Sequence, residues 1–93
     1  MSKLVRDNVQ GVETLELTGK RMNTVVLDNI ISTANQIKER TQAEDVILDV
    51  ADILELLNVF LITENIKAQD VFAKAQEVRN ELGSYTKKLI IKE

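Results

Sequence analysis

The chain has 93 residues, 12 basic and 15 acidic side chains, a formal net charge of -3, and no His, Cys, Pro or Trp. Without Cys there is no disulfide framework, thiolate metal site or thiol nucleophile, and without His there is no imidazole base or ligand. Catalysis is left to carboxylates, Lys, Arg, hydroxyls and amides, and a bound metal is expected to be a hard, oxygen-loving ion such as Mg²⁺. Aromatic residues make up only 3% of the chain, so the core must be aliphatic, and a second copy would help to cover it. The acidic balance and the lack of a basic run argue against a nucleic-acid partner. No segment approaches the ~20 apolar residues of a membrane span, and Met1-Ser2-Lys3-Leu4 does not open a signal peptide. A cytoplasmic protein with a single domain over 1–93 is expected.

Near the N-terminus Leu15-Glu16-Leu17 alternates and Thr18-Gly19-Lys20 reads as a turn. From Thr24 to Arg40, Leu27, Ile30, Ile31, Ala34 and Ile37 recur at helical spacing with polar residues opposite. A second helix runs from about Gln42 to Glu64. Thr41 followed by Glu44 fits a capping box, and Asn65 suits a left-handed C-terminal residue. Val46, Ile47, Val50, Ile53, Leu54, Leu57, Phe60 and Leu61 form its broad apolar arc. From Ala68 to Leu82, Val71, Phe72, Ala75, Val78 and Leu82 make one stripe, and Gly83 stops the helix. Short connections predict antiparallel neighbours. Leu89-Ile90-Ile91 is a short apolar run, and it and the Leu15 run are candidates for extended segments lying over the helices.

The central helix also has a mixed face. Asp45, Asp49 and Asp52 share one direction, and Leu56 and Val59 continue it. A solvated acidic stripe near a helix N-terminus is one reading, because the macrodipole favours carboxylates there. The apolar continuation implies instead that the face packs against another helix or a second subunit. Three carboxylates in line would then repel one another unless a divalent cation, or Lys3, Arg6 or Lys20, neutralised them. The preceding helix offers Ser32, Asn35, Gln36 and Glu39: one acid with three neutral oxygen-bearing side chains. That is half a metal site.

Three blocks resemble a known family. Lys3-Leu4-Val5-Arg6-Asp7 is similar to the opening of short MazG-like proteins, the all-α nucleoside triphosphate pyrophosphohydrolases related to phosphoribosyl-ATP pyrophosphohydrolase. Asp49-Val50-Ala51-Asp52 resembles their second acidic motif, Glu-x-x-Asp. Glu81-Leu82-Gly83-Ser84-Tyr85, followed by Lys87-Lys88-Leu89, resembles the closing pattern. The resemblance implies an all-α antiparallel helical bundle completed by self-association, as a homodimer or dimer of dimers. It implies Mg²⁺-dependent conversion of a nucleoside triphosphate to the monophosphate and pyrophosphate. Asp49 and Asp52 would hold the metal, helped by Asp45 or Glu39, and Lys3 and Arg6 would meet the phosphates of a nucleotide ligand. The family's first motif, Glu-Glu-x-x-Glu, falls on Ser32, Thr33 and Gln36, none of them acidic, and Leu82 replaces the arginine before the late glycine. The metal site is therefore incomplete, which points to weak or absent activity. The alternative is a catalytically inactive member acting as a nucleotide-sensing or protein-interaction oligomer.

Overall fold

The computed structural model describes residues 3–92. Three α-helices follow in chain order: α1 (Lys20–Ile37), α2 (Ala43–Thr63) and α3 (Ala68–Leu82). Among the described residues there is no β-strand, so the chain is all-helical.

Local chemistry sets most of the boundaries. Gly19 precedes α1 with φ 73°, in the left-handed region that glycine enters without a Cβ penalty. The helix therefore starts at Lys20, four residues before the apolar repeat suggested. At its end, Lys38, Glu39 and Arg40 donate their amides three residues back, to Asn35, Gln36 and Ile37. This tighter winding carries the chain straight into α2. The expected capping box is not formed. Gln42, not Thr41, is the N-cap of α2, in extended conformation and without a side-chain cap bond. Thr41 lies one residue too far out for its hydroxyl to serve the first turn. The C-terminus of α2 follows expectation. Asn65 takes φ 57°, its N–H bonds Ile62 O at 3.1 Å, and the Ile66 N–H bonds Leu61 O at 2.9 Å. That pair of bonds is a Schellman motif. Gly83, at φ 85°, closes α3 with its N–H on Arg79 O.

α1 and α2 pack against each other as an antiparallel pair. The polar links fix the direction. Asn23, early in α1, donates to Glu64 after the end of α2, whereas Gln36, late in α1, donates to Asp49 early in α2. Met22, Val26, Ile30, Thr33 and Ile37 line the α1 side, with Val26 fully enclosed. The α2 side is the mixed face of Asp45, Asp49, Asp52, Leu56 and Val59, each buried or half-buried.

Half of the broad apolar arc of α2 is left open, and none of it is buried. Ile47, Val50, Leu54 and Leu57 are exposed, Leu54 at 63%. Together with Leu61 they are spaced 3, 4, 3 and 4 residues apart, the spacing of a helix–helix seam. On α1, Leu27, Ile31 and Ala34 are also exposed. At about 100° per residue, the α1 stripe lies roughly a third of a turn from the side facing α2, whereas the α2 stripe, centred on Leu54, lies nearly half a turn from the side facing α1. The two offsets have the same sense in antiparallel helices, so only the Val50–Leu57 edge of the α2 stripe opens toward the same side of the pair as Leu27, Ile31 and Ala34. The N-terminal segment crosses the opposite side, where the Leu4 N–H bonds Asn29 Oδ1 at 3.0 Å.

α3 differs from expectation. It packs on neither α1 nor α2, and none of its residues is buried. Its stripe is open, with Phe72 at 71%. Leu15 and Leu89 to Ile91 form neither strand nor cover and stand exposed; Ile90 is 93% accessible. A three-residue apolar run buries too little surface to hold a segment down against its chain entropy.

Candidate functional site

Two of the sequence-predicted acids, Asp49 and Asp52, lie on the α1–α2 seam, and each is held in an ion pair. Asp49 is 1% exposed, the one buried charged side chain among the described residues. Arg40 grips it with two bonds, Nε to Oδ2 at 2.8 Å and Nη2 to Oδ1 at 3.2 Å, and Gln36 Nε2 donates to Oδ1 at 3.1 Å. Gln36 and Arg40 are four residues apart and so share a face of the chain as it leaves α1. Hydrogen bonding to Arg40 holds the Asp49 carboxyl below its ordinary value and outweighs burial, which pushes the other way. The same bond raises the Arg40 guanidinium.

One turn on, Asp52 is paired with Arg6 of the N-terminal segment, and this bond raises Arg6. The pair is far more open than the first: the Arg6 side chain is 64% exposed. Arg6 reaches Asp52 because Asn29 fixes the backbone at Leu4. Asn29 accepts from the Leu4 N–H and donates from Nδ2 to Val25 O at 2.8 Å. Between the segment and the helices lies an open groove of about 380 Å³. Lys3, Arg6, Asn29, Thr33, Gln36, Asp52 and Glu55 supply its polar lining, and Met22, Leu56 and Val59 its apolar floor.

Asp52, Lys3 and Arg6 are thus brought together at the groove, whereas Asp49 is buried in the seam against Gln36 and Arg40. Asp45 is half-buried in the first turn of α2, and Glu39 is exposed in the turn before α2. Of the three positions matched to the missing glutamates, Thr33 and Gln36 line the groove, while Ser32 is exposed. Two further residues matter. Arg40 neutralises the buried acid, and its spacing from Gln36 was the available signal. Glu55 joins Asp52 at the groove, three residues on along the same helix.

As arranged, these side chains do not suit Mg²⁺. Both oxygens of Asp49 are taken by nitrogen donors, and Asp52 is held by a guanidinium. Among the described residues no group of three or more acids converges on one point. A dication needs several oxygen ligands and compensating negative charge, and two arginines have claimed that charge. No helix of the described residues is long and apolar enough to cross a membrane. No protein-family model, curated protein or solved structure matches the chain.

Proposed function

We propose that the chain is a non-hydrolytic, MazG-like helical protein that works in the cytoplasm as a self-associating interaction module, as a homodimer or dimer of dimers. One observation carries the reading: the chain alone leaves too much surface open. It exposes 8652 Å², where a folded monomer of its mass should expose about 5,400 Å². Its radius of gyration is 16.2 Å, against roughly 12 Å for a compact chain of this length. The excess, about 3,200 Å², is well beyond the ~800 Å² that each partner of a standard interface buries. The resemblance of the three sequence blocks supports the family label, and the arginine-paired carboxylates support the loss of hydrolysis. Sedimentation equilibrium at micromolar concentration tests the reading. A dimer or tetramer is expected, and a monomer up to the highest soluble concentration would sink it.

The groove favours a second reading, a nucleotide-responsive member of the same group. Lys3 and Arg6 offer cations for phosphates, and Thr33 offers a hydroxyl at the edge of an apolar floor. Thermal shift with a panel of nucleoside mono-, di- and triphosphates, with and without Mg²⁺, separates the two. Ligand-induced stabilisation without pyrophosphate release supports sensing. Pyrophosphate release from any triphosphate in Mg²⁺ or Mn²⁺ refutes the non-hydrolytic assignment.

A further inference from the structure

Two apolar surfaces lie open in the protomer, the stripe of α2 and the stripe of α3, and a single operation covers both. We infer that α3 is exchanged between two copies, so that α3 of one protomer lies along the open Ile47–Leu61 stripe of α2 in the other and is answered in kind. This rests on the self-association proposed above and specifies how it occurs.

Three observations support it. The first is reach. The Schellman turn at Asn65 and Ile66 directs α3 away from its own α2, and α3 makes no helix interface within its own chain. The second is fit. α2 presents its open stripe from Ile47 to Leu61, a length of about 21 Å, and the 15 residues of α3 span about 22 Å at the α-helical rise. The third is area. A face-to-face pairing of the two α2 stripes would bury one surface and leave Phe72, Val78 and Leu82 in water. Exchange covers both, in line with an exposed excess of about 3,200 Å² over a compact monomer. A reciprocal swap also closes a two-fold dimer and leaves no open-ended filament.

The chain has no Cys, so introduced thiols report cleanly. Leu54 lies at the middle of the α2 stripe and Ala75 near the middle of α3, so the two are neighbours whether the helices cross parallel or antiparallel. Leu54→Cys chains are mixed with Ala75→Cys chains, unfolded and refolded together, and oxidised, with circular dichroism confirming retained helix. A disulfide needs Cα atoms within about 7 Å. The expected result is a heterologous cross-link, seen as a two-chain mass in non-reducing gels and placed by peptide mass spectrometry between residues 54 and 75. The double variant Leu54→Cys/Ala75→Cys is expected to give the same two-chain mass, and a one-chain oxidised species would mean that α3 folds back on its own helices, overturning exchange. Cross-linking of Leu54→Cys to itself, with no 54–75 product, would establish face-to-face pairing and equally overturn it. Helical variants that yield no cross-link at all refute it too. Two further pairs guard against poor thiol geometry at the first: Leu57→Cys with Val78→Cys for a parallel crossing and Leu57→Cys with Phe72→Cys for an antiparallel one. Wild-type sedimentation separates the two levels: a monomer defeats self-association itself, whereas a dimer with the wrong cross-link defeats only the exchange.

Discussion

The α1–α2 seam and the α3 arm invert the usual association of apolar with buried. The seam runs through Asp49, Gln36 and Arg40, yet it is closed, with Asp49 almost wholly out of water. α3 carries Val71, Phe72, Ala75, Val78 and Leu82 on one stripe, yet all of them are exposed. The difference lies in which partner is within reach. The Lys38–Gln42 turn folds α2 back on α1 and brings two donors, Gln36 and Arg40, to Asp49. The Glu64–Lys67 connection delivers α3 to no surface of its own chain. Burial here follows chain geometry first and hydrophobicity second.

The largest effect is expected from breaking the closed region. Arg40→Met keeps the length and apolar stem of the side chain but strands Asp49 with only Gln36. Removing one partner of a buried pair is strongly destabilising, while replacing both with apolar residues is often neutral. Arg40→Met should lower the melting temperature by roughly 10 °C or more. Adding Asp49→Leu should recover most of that loss. Circular-dichroism melts of the single and double variants check both, and a single variant as stable as wild type would mean that the seam does not depend on the pair. Next comes the open region. Leu54→Lys places a charge in the middle of the exposed stripe without touching the seam, so helix content should hold while association weakens at least about tenfold, equivalent to ~1.4 kcal/mol. Sedimentation reads this directly, and unchanged association would place the interface elsewhere.

A third effect depends on pH. Hydrogen bonding to Arg40 lowers the Asp49 carboxyl in the folded state. The stability it contributes is therefore present above the unfolded carboxyl value, about 3.9, and is lost as pH falls through the lower folded value. With no His in the chain, no side chain of ordinary pKa titrates between about pH 5 and 8. Melting temperature should be level across that range and fall below about pH 4. Asp49→Asn should flatten part of the acid limb. Stability that changes steeply near pH 6.5 would contradict the account.

A smaller effect tests the register of the groove. Thr33→Glu with Gln36→Glu sets two carboxylates beside Asp52 and Glu55, and this should create weak Mg²⁺ binding measurable by calorimetry where the parent shows less. Unchanged affinity would refute the match of residues 32–36 to the family's first acidic motif.

Much of this was legible in the sequence. Apolar periodicity located three helices, and Asn65 and Gly83 marked the ends of α2 and α3 because each takes a positive φ that few residues tolerate. Gly19 read only as part of a turn, and the apolar repeat begins four residues after the start of α1. The mixed face of α2 was recognised as a packing face from Leu56 and Val59. Its neutralisation was less legible. Arg6 stood among the named candidates for Asp52, but Arg40 did not, because its role depends on the tight turn after Ile37. Periodicity also cannot say which of two apolar faces meets a neighbour. The arc with more hydrophobic residues was the natural choice for the core, but the seam formed on the other side, where Met22, Val26, Ile30, Ile37, Leu56 and Val59 surround the Asp49 cluster.

The smallest effect concerns the N-terminal segment, which belongs to neither region. Its ion pair, Arg6 with Asp52, is solvent-exposed, and exposed pairs contribute little to stability. Arg6→Ala should leave the melting temperature within a few degrees of wild type. The segment should still loosen, because Arg6 and the Leu4 amide are two separate ties to the helices, one to α2 and one to Asn29 of α1. Hydrogen exchange of the Leu4 amide should therefore quicken in Arg6→Ala, while the amides of α1 and α2 exchange as before. If the helical amides quickened equally, the segment would be an integral part of the seam. If the Leu4 amide did not respond, Asn29 alone would hold the wall of the groove, and Arg6 would be left free to meet a phosphate.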